Sequence, residues 1–416
     1  MLLWLLEPLV PIFRGFNLVR YVTFRAAFAA VLAFLIVIVC GPGVIAWLRG
    51  KKLHGCANHD SARLEELRAA KQDIPTMGGI LILGGVLVSV LLLGRLDNVY
   101  VVLVLFAFLA FGLLGALDDW AKLTVPGRKG MSAKRKLFGQ LGIAAAALVV
   151  LYAQASGQPG RPALRGPALR ASPYLQTAEV AKAGDLPAPL PSRPGTAPIG
   201  PTEVAAPSQD HRTDLQVPFF KHFCLDLGLL FLVFGALVIV GASNAVNLTD
   251  GLDGLATGCT AIAALTFALV AYLVGRADTS EYLYVFHVPG AAELTVVCAA
   301  LGGAALGFLW FNGFPASVFM GDTGSLALGG TLGLVAVAAR QELTLLVAGG
   351  VFVAEAGSVI VQRRYYRWSG GKRLFRCAPL HHHFQFQPIH EAKVTIRFWI
   401  AALILALVSL ALFKLR

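Results

Sequence analysis

The chain has 416 residues, of which 57% are hydrophobic and 14% are charged. Soluble domains contain about 25% charged and about 45–50% apolar residues, so this composition excludes an ordinary soluble domain. The formal net charge is +12. In a membrane protein, basic residues first indicate which loops face the cytoplasm, so no nucleic-acid partner is expected. The composition predicts a polytopic membrane protein whose partner is the lipid bilayer.

Ten apolar stretches approach or exceed the roughly 20 residues that a helix needs to cross a bilayer. We therefore predict an all-α polytopic integral membrane protein with about ten transmembrane helices, folded as one transmembrane domain over residues 1–416. The predicted helices lie within residues 23–48, 77–94, 99–118, 135–153, 224–243, 255–275, 292–311, 324–340, 342–362 and 394–413.

Basic residues are concentrated in the connections on one side of these helices. Residues 49–76, 119–136 and 363–393 contain 19 lysines and arginines, against eight near the opposite connections and the termini when the loop 154–220 is left out. Because short basic loops stay in the cytoplasm, both termini are predicted to be periplasmic. The loop 154–220 holds 12 of the 21 prolines. That composition favours disorder or polyproline II structure, so we predict an extracytoplasmic insertion that catalysis does not need.

Acidic residues gather at the predicted cytoplasmic ends of the helices, where ionisable groups usually have a function. Asp118 and Asp119 end the third predicted helix, where the helix macrodipole disfavours negative charge. They therefore indicate a neighbouring cation, either a divalent metal ion or Lys122. Asp322 lies at the start of the eighth predicted helix, where capping by Asp322 or Thr323 is one interpretation and is compatible with a role of Asp322 in metal binding.

Two further polar segments lie on the same side. Asn247, Asp250 and Asp253 recur every three residues among glycines, so on a helical turn they would share one face. Thr76 lies at the start of the second predicted helix, where free backbone amides favour an anion. Lys71, a few residues earlier, is placed to hold a phosphate.

The predicted cytoplasmic loop 363–393 contains three consecutive histidines, His381, His382 and His383. Neighbouring residues on a helix point about 100° apart, so the three cannot all bind one ion from a helix. Separate phosphate contacts or proton transfers are expected instead. The arginines and lysines of this loop could alternatively contact anionic lipid. Glu355, inside the ninth predicted helix, is expected to make a buried interhelical contact or to mark a helix distortion.

These residues together indicate one kind of chemistry. Carboxylate ligands with phosphate nearby favour Mg²⁺ over zinc. A metal ion, basic groups and helix N-termini at a membrane surface suit phosphoryl transfer to or from a lipid. A channel would instead place its charges along a pore.

Five sequence segments resemble the polyprenyl-phosphate N-acetylhexosamine 1-phosphate transferase superfamily. The acidic segments are GALDDWAK (Gly115–Lys122), NAVNLTDGLDGLA (Asn244–Ala256) and FMGDTGSL (Phe319–Leu326). PTMGG (Pro75–Gly79) and PLHHHF (Pro379–Phe384) resemble one branch, the phospho-N-acetylmuramoyl-pentapeptide transferases of peptidoglycan synthesis. The resemblance runs from about residue 20 to the end, apart from 154–220.

The resemblance implies transfer of phospho-N-acetylmuramoyl-pentapeptide from its UDP derivative to undecaprenyl phosphate, with Mg²⁺ as cofactor and lipid I and UMP as products. It also implies a multi-pass homodimer in the bacterial cytoplasmic (inner) membrane. Asp322 would bind Mg²⁺, with Asp119 close by, and His381 would contact phosphate. Asp118 would deprotonate the lipid phosphate or act as the nucleophile of a two-step reaction. The implied substrate-binding residues, with Phe319 stacking on uracil, are Lys71, Thr76, Asn247, Asp250, Asp253, Asn312, Phe319, His382 and His383.

Two alternatives remain at this point. A sibling enzyme that uses UDP-N-acetylglucosamine shares the acidic segments, although PTMGG and the uninterrupted histidines argue against it. A secondary transporter would show midplane charges and inverted repeats, and neither is evident in the sequence.

Overall fold

In the computed structural model, the described residues are 6, 14–51, 71, 73–124, 130–156, 168–171, 213–217 and 223–413. They form the helices α1 (Val22–Gly50), α2 (Gly79–Leu93), α3 (Val99–Thr124), α4 (Ala133–Ser156), α5 (Leu230–Thr249), α6 (Leu255–Val274), α7 (Ala277–Leu283), α8 (Leu294–Asn312), α9 (Gly321–Ala338), α10 (Glu342–Ala348), α11 (Gly350–Trp368), α12 (Leu380–Gln385) and α13 (Glu391–Leu412). Between α4 and α5 lie three short strands, β1 (Ala168–Ala171), β2 (Asp214–Gln216) and β3 (Phe223–Asp226).

Within the described part of the chain, seven helices are long and apolar enough to cross a membrane, namely α1, α3, α4, α5, α6, α8 and α13. The helices α10 and α11 meet at a bend of 84° and together would make an eighth span. Each of the ten predicted stretches overlaps a helix, but the described residues give seven or eight spans where ten were predicted. The helix α2 has only 15 residues, and α9 begins with the polar sequence Gly-Asp-Thr-Gly-Ser.

The predicted position of the fifth helix is wrong by about six residues at each end. Residues 223–226 form a strand, and α5 runs from Leu230 to Thr249. Asn247 therefore lies in the last turn of α5, whereas Asp250 and Asp253 follow it in the connection to α6. The expectation that the three side chains share one helical face is accordingly wrong.

The loop 154–220 contributes to a small antiparallel sheet, which the sequence did not predict. The strand order is β1–β3–β2, with Leu225 opposite both Leu169 and Leu215. The amide of Gln216 donates to the carbonyl of Tyr284 at 2.9 Å, so the sheet is tied to the end of α7. The rest of the predicted disordered loop lies outside the described residues, as do several of the basic residues assigned to the cytoplasm.

The helix α9 lies at the centre of the bundle, buried along nearly its whole length and packed against α2, α3 and α5. Its glycines allow this close packing, as small residues do between membrane helices. A methyl group at Gly330 would lie 2.6 Å from the Phe111 ring, and one at Gly329 would lie 2.5 Å from the Ala242 carbonyl oxygen. The N-terminus of α9 is thereby fixed beside the C-terminal turns of α3.

Candidate active site

The C-terminal part of α3 and the first turn of α9 bring three carboxylates together. Ligand atoms of Asp118, Asp119 and Asp322 all lie within 4.8 Å of one another. Asp118 and Asp119 are buried, whereas the Asp322 side chain is 15% exposed. The approach requires glycine at position 115, because a methyl group there would lie 2.1 Å from the Asp322 carbonyl oxygen. The three acidic residues that the sequence singled out thus form one cluster.

Asp119 caps the N-terminus of α9 from a neighbouring helix. Its carboxylate accepts hydrogen bonds from the Thr323 amide at 2.9 Å, the Thr323 hydroxyl at 2.8 Å and the Asp322 amide at 3.2 Å. No side chain of α9 caps its own helix, so the option that Asp322 or Thr323 does so is wrong. Because Asp119 satisfies the free amides, the carboxylate of Asp322 remains available to the cluster.

Two lysines lie against the three carboxylates. The Lys122 Nζ atom lies 2.9 Å from Asp118, 3.3 Å from Asp119 and 3.0 Å from Asp322. Lys136, from the first turn of α4, pairs with Asp322 and lies 3.6 Å from Asp118. Sequence reasoning counted Lys136 only as a topology signal, although its position near the start of a helix next to an acidic end could have indicated it. Three carboxylates thus face two ammonium groups.

Asn247 orients the carboxylate of Asp322 in this structure. Its amide group donates to Asp322 Oδ1 and to the Ser325 hydroxyl, both at 2.8 Å. Asp118 is held in turn by the backbone amide of Met131, which donates to Oδ1 at 2.6 Å. Neutral amide donors therefore fix the carboxylates of Asp118 and Asp322, in addition to their pairing with the lysines.

The cluster fits a hard divalent cation. Its donors are carboxylate oxygens, which Mg²⁺ and Ca²⁺ prefer. The ammonium group of Lys122 lies within 3.3 Å of all three carboxylates and marks a position between them where positive charge is stabilised. Asp118, Asp119 and Asp322 could therefore hold a metal ion.

A second charged junction joins Lys71 to two carboxylates. The Lys71 Nζ atom lies 2.6 Å from Asp253 and 2.7 Å from Glu391, at the start of α13. Asp253 also accepts a hydrogen bond from the Ala316 amide at 3.1 Å, and its own amide donates to Glu391 at 3.2 Å. This junction connects four segments that are distant in sequence. Sequence reasoning found Lys71 and Asp253 but missed Glu391.

Asn312 supports the turn that precedes α9. Its buried amide accepts from the Thr257 hydroxyl at 2.9 Å and donates to the Val318 carbonyl at 2.9 Å. Phe319, next along, bonds through its backbone to the Pro75 carbonyl at 2.8 Å, and its ring is half-buried. Thr76 is likewise half-buried. The helix α2 begins at Gly79, so Thr76 lies before the helix and not, as was predicted, at its start.

Asp250 lies just beyond the end of α5, half-buried at the site. Burial of the carboxyl group, together with the negative charges of Asp322, Asp119 and Asp253, raises its pKa to about 8. Asp250 therefore carries its proton at neutral pH when no added cation is present, and in that form it can donate a hydrogen bond.

The three histidines have separate partners on and around α12, as the helical geometry predicted. His381 contacts the buried carboxylate of Glu355, with Nδ1 at 3.0 Å, which confirms the predicted buried contact of Glu355. His382 Nδ1 lies 2.7 Å from the Gln385 side-chain oxygen. His383 Nδ1 accepts from the Arg376 backbone amide at 3.1 Å. His381 and His382 are buried.

Comparisons with known proteins assign this arrangement to a family. Residues 204–340 match the model of glycosyl transferase family 4, a range that covers α5 to α9. Residues 71–83 match the phospho-N-acetylmuramoyl-pentapeptide-transferase signature 1, which includes Lys71 and Thr76.

Full-length relatives give the same assignment. The phospho-N-acetylmuramoyl-pentapeptide-transferase of Solidesulfovibrio magneticus is 45% identical, with 100% of both chains covered. Those of Desulfovibrio desulfuricans, at 43% over 99% of both chains, and Thermodesulfovibrio yellowstonii, at 40% over 100% of both, carry the same name. The chain is therefore a multi-pass membrane enzyme that belongs to the phospho-N-acetylmuramoyl-pentapeptide-transferase family.

Proposed function

We propose that this chain transfers phospho-N-acetylmuramoyl-pentapeptide from its UDP derivative to undecaprenyl phosphate, giving lipid I and UMP, at the cytoplasmic face of the bacterial inner membrane. One observation carries the proposal, namely that three carboxylates and two lysines meet at the ends of membrane helices. Both substrates are anionic at the reacting phosphates, so the barrier contains strong charge repulsion. A cluster that concentrates a metal ion and two ammonium groups lowers such a barrier.

Asp322 would hold Mg²⁺, with Asp118 and Asp119 beside it. The bound Mg²⁺ would screen the repulsion between the phosphates and polarise the leaving UMP. Asn247 keeps the Asp322 carboxylate in place through its 2.8 Å hydrogen bond. Lys122 and Lys136 lie within reach of the same carboxylates and would stabilise the negative charge of the transferring phosphoryl group.

Asp118 would act as the general base. It would take the remaining proton of the lipid phosphate, whose oxygen then bonds to the sugar-linked phosphorus as the bond to UMP breaks. In the two-step alternative, an Asp118 oxygen would itself attack that phosphorus, release UMP and then pass the phospho-sugar to the lipid phosphate. The hydrogen bond from Met131 holds the carboxylate for either role.

The remaining predicted residues would bind the nucleotide-sugar. Lys71 and Asp253 lie at a junction that faces the same end of the bundle as the acidic cluster, and Phe319 presents a half-buried ring for stacking on uracil. The same binding region would also include Thr76, Asn312 and the histidines His381, His382 and His383. A homodimer remains part of the proposal on the strength of the family resemblance.

One assay tests the proposal and its nearest alternative. Purified protein is incubated with Mg²⁺, undecaprenyl phosphate and one UDP-sugar at a time, and UMP release is measured. UMP is expected from UDP-N-acetylmuramoyl-pentapeptide and not from UDP-N-acetylglucosamine. Release from UDP-N-acetylglucosamine alone would favour the sibling activity, and release from neither would refute both.

A further inference from the structure

Glu355 is a buried carboxylate outside the acidic cluster that the reaction described above does not use. It lies in α11 with 0% exposure. The His381 backbone amide donates to it at 3.1 and 3.4 Å, and His381 Nδ1 lies 3.0 Å away. Among the described residues, the basic side chain paired with Glu355 is His381 alone. A buried charge is costly unless an opposite charge and hydrogen bonds compensate it, so the pair is expected to act as a unit.

The geometry decides which imidazole nitrogen bonds to Glu355. An ionised carboxylate only accepts hydrogen bonds, so the proton of this contact lies on Nδ1. The other nitrogen, Nε2, is buried and has no hydrogen-bond partner within the described structure. A carboxylate behind a histidine is a recurrent way to fix the orientation and charge of the ring.

His381 Nε2 faces the turn that carries the acidic residues between α5 and α6. A methyl group at Gly251 would lie only 2.1 Å from this nitrogen. Gly251 is flanked by Asp250 and followed two residues later by Asp253. The unpartnered nitrogen is therefore aimed at the segment proposed to bind the nucleotide-sugar, and glycine at 251 leaves the space for this approach.

We propose that Glu355 is a positioning residue that acts through His381. Its carboxylate receives Nδ1–H and aims Nε2 at the Gly251 turn, where it meets the phosphate of the donor. This inference rests on the proposed function and adds to it a residue that touches no substrate. His381 is the substrate-contacting member of the pair, and no bond is made or broken at Glu355.

The variant Glu355→Gln keeps the side-chain shape and removes the charge. We expect kcat for UMP release to fall about 10- to 100-fold, the scale for lost support of an oriented histidine, with KM for the nucleotide-sugar changed less than about threefold. Glu355→Asp keeps the charge and should retain more activity than Glu355→Gln. A purely space-filling role predicts the opposite order, because Asp leaves a gap. Glu342→Gln, in α10, changes another buried glutamate and should stay within about twofold of wild type.

Non-additivity separates action through His381 from a general structural effect. In a His381→Asn background, Glu355→Gln should lower kcat by less than about twofold further. A full additional loss in that background, or a wild-type kcat in Glu355→Gln, would overturn the inference. Both comparisons use ratios to an active wild type, so a wild type that releases no UMP would refute the proposed function instead.

A spectroscopic measurement tests the pair without turnover. In protein labelled with ¹⁵N-histidine, the His381 signals are identified by their loss in His381→Asn. The expected spectrum shows the ring proton on Nδ1, facing Glu355, in the wild type and a changed ring signature in Glu355→Gln, with Glu342→Gln unchanged. A His381 spectrum that Glu355→Gln leaves unaltered would contradict the inference even if the enzyme proved to have another substrate.

Discussion

Two buried charge clusters lie at opposite ends of α2 and differ in their charge balance. At its C-terminal end, Arg25 forms a bidentate pair with Glu293 at 2.7 and 2.6 Å and donates to the Leu93 carbonyl at 3.1 Å. At its N-terminal end, Gly79 packs against α9, next to the cluster of Asp118, Asp119, Asp322, Lys122 and Lys136. The first cluster has one cation for one anion, and the second has two cations for three anions.

The difference indicates what each cluster does. In a buried pair whose charges match, no charge is left over to bind a ligand, and the pair holds α1, α2 and the start of α8 together. Breaking such a pair leaves an uncompensated charge and is strongly destabilising. A cluster with a surplus carboxylate, one of whose members is partly exposed, can accept a further cation.

The variant Asp322→Asn should cause the largest loss of activity. It keeps the shape of the side chain but removes the charge that the proposal assigns to Mg²⁺ binding. We expect turnover to fall on the order of 10²–10³-fold or more, as for other lost electrostatic stabilisers. The measurement is UMP release as a function of Mg²⁺ concentration. Activity near that of the wild type at every Mg²⁺ concentration would show that the surplus charge has no catalytic role.

The variant Asp118→Asn should cause a loss that depends on pH if Asp118 is the base. The second pKa of a phosphate monoester is about 6, so the lipid phosphate loses its own proton as pH rises. The rate deficit should therefore shrink between about pH 6 and pH 9, a range that begins at that pKa. The ratio of variant to wild-type rates is measured across this range. A constant deficit, with a phosphorylated aspartate trapped in the native enzyme, would favour the two-step alternative.

The variant Glu391→Gln should weaken substrate binding more than turnover. Lys71 lies between Asp253 and Glu391, and loss of one carboxylate frees the ammonium group to shift from its position. We expect KM for the nucleotide-sugar to rise about tenfold, the scale of one charge-assisted hydrogen bond, and kcat to change less than about threefold. Lys393→Gln, two residues along the same helix, is the matched control. A fall in kcat with unchanged KM would place this junction nearer the reacting phosphates than the proposal does.

The sequence predicted the membrane helices and the acidic residues, because long apolar runs and charges beside them are local signals. It did not predict which role each residue of the acidic cluster has. Asp118 and Asp119 are adjacent in sequence, yet Asp119 caps α9 whereas Asp118 faces the lysines. That division depends on where the N-terminus of α9 packs, which no local pattern encodes. Glu391 was missed for the same reason, since its partners Lys71 and Asp253 are distant in sequence.

The bend between α10 and α11 and the sheet beside the proline-rich loop were also not predicted. The bend lies at Gly349 and Gly350, within an apolar stretch that was predicted as one continuous span. The strands β2 and β3 are three and four residues long. Segments this short gain their stability from pairing with each other, so neither shows a pattern of its own.

The variant Glu293→Gln should have the smallest effect on turnover and a large effect on stability, which is the sharpest test of the contrast. It leaves Arg25 buried without its partner, and breaking such a pair costs about 3–5 kcal/mol of unfolding free energy. The folded fraction should release UMP at the wild-type kcat, because the pair lies at the far end of α2 from the acidic cluster. Unfolding in detergent and activity per folded molecule are measured on the same samples.

An exposed ion pair at the same end supplies the matched control. Arg95 lies 2.6 Å from Asp97, and its hydrogen bond lowers the pKa of that carboxyl group. Because the pKa of Asp97 is lower in the folded protein than its ordinary value, the pair stabilises the fold fully at any pH above the ordinary pKa. This stabilisation is lost as pH falls through the lowered pKa, so at pH 7.5 the pair makes its full contribution. Because both side chains are largely exposed, that contribution is less than about 1 kcal/mol, and Asp97→Asn should change stability little.

If Glu293→Gln destabilises the protein no more than Asp97→Asn, burial is not what makes the Arg25 pair important. If Glu293→Gln instead lowers kcat as Asp322→Asn does, the two ends of α2 are coupled. The Arg25–Glu293 pair would then not be purely structural, and the contrast with the catalytic cluster would be wrong.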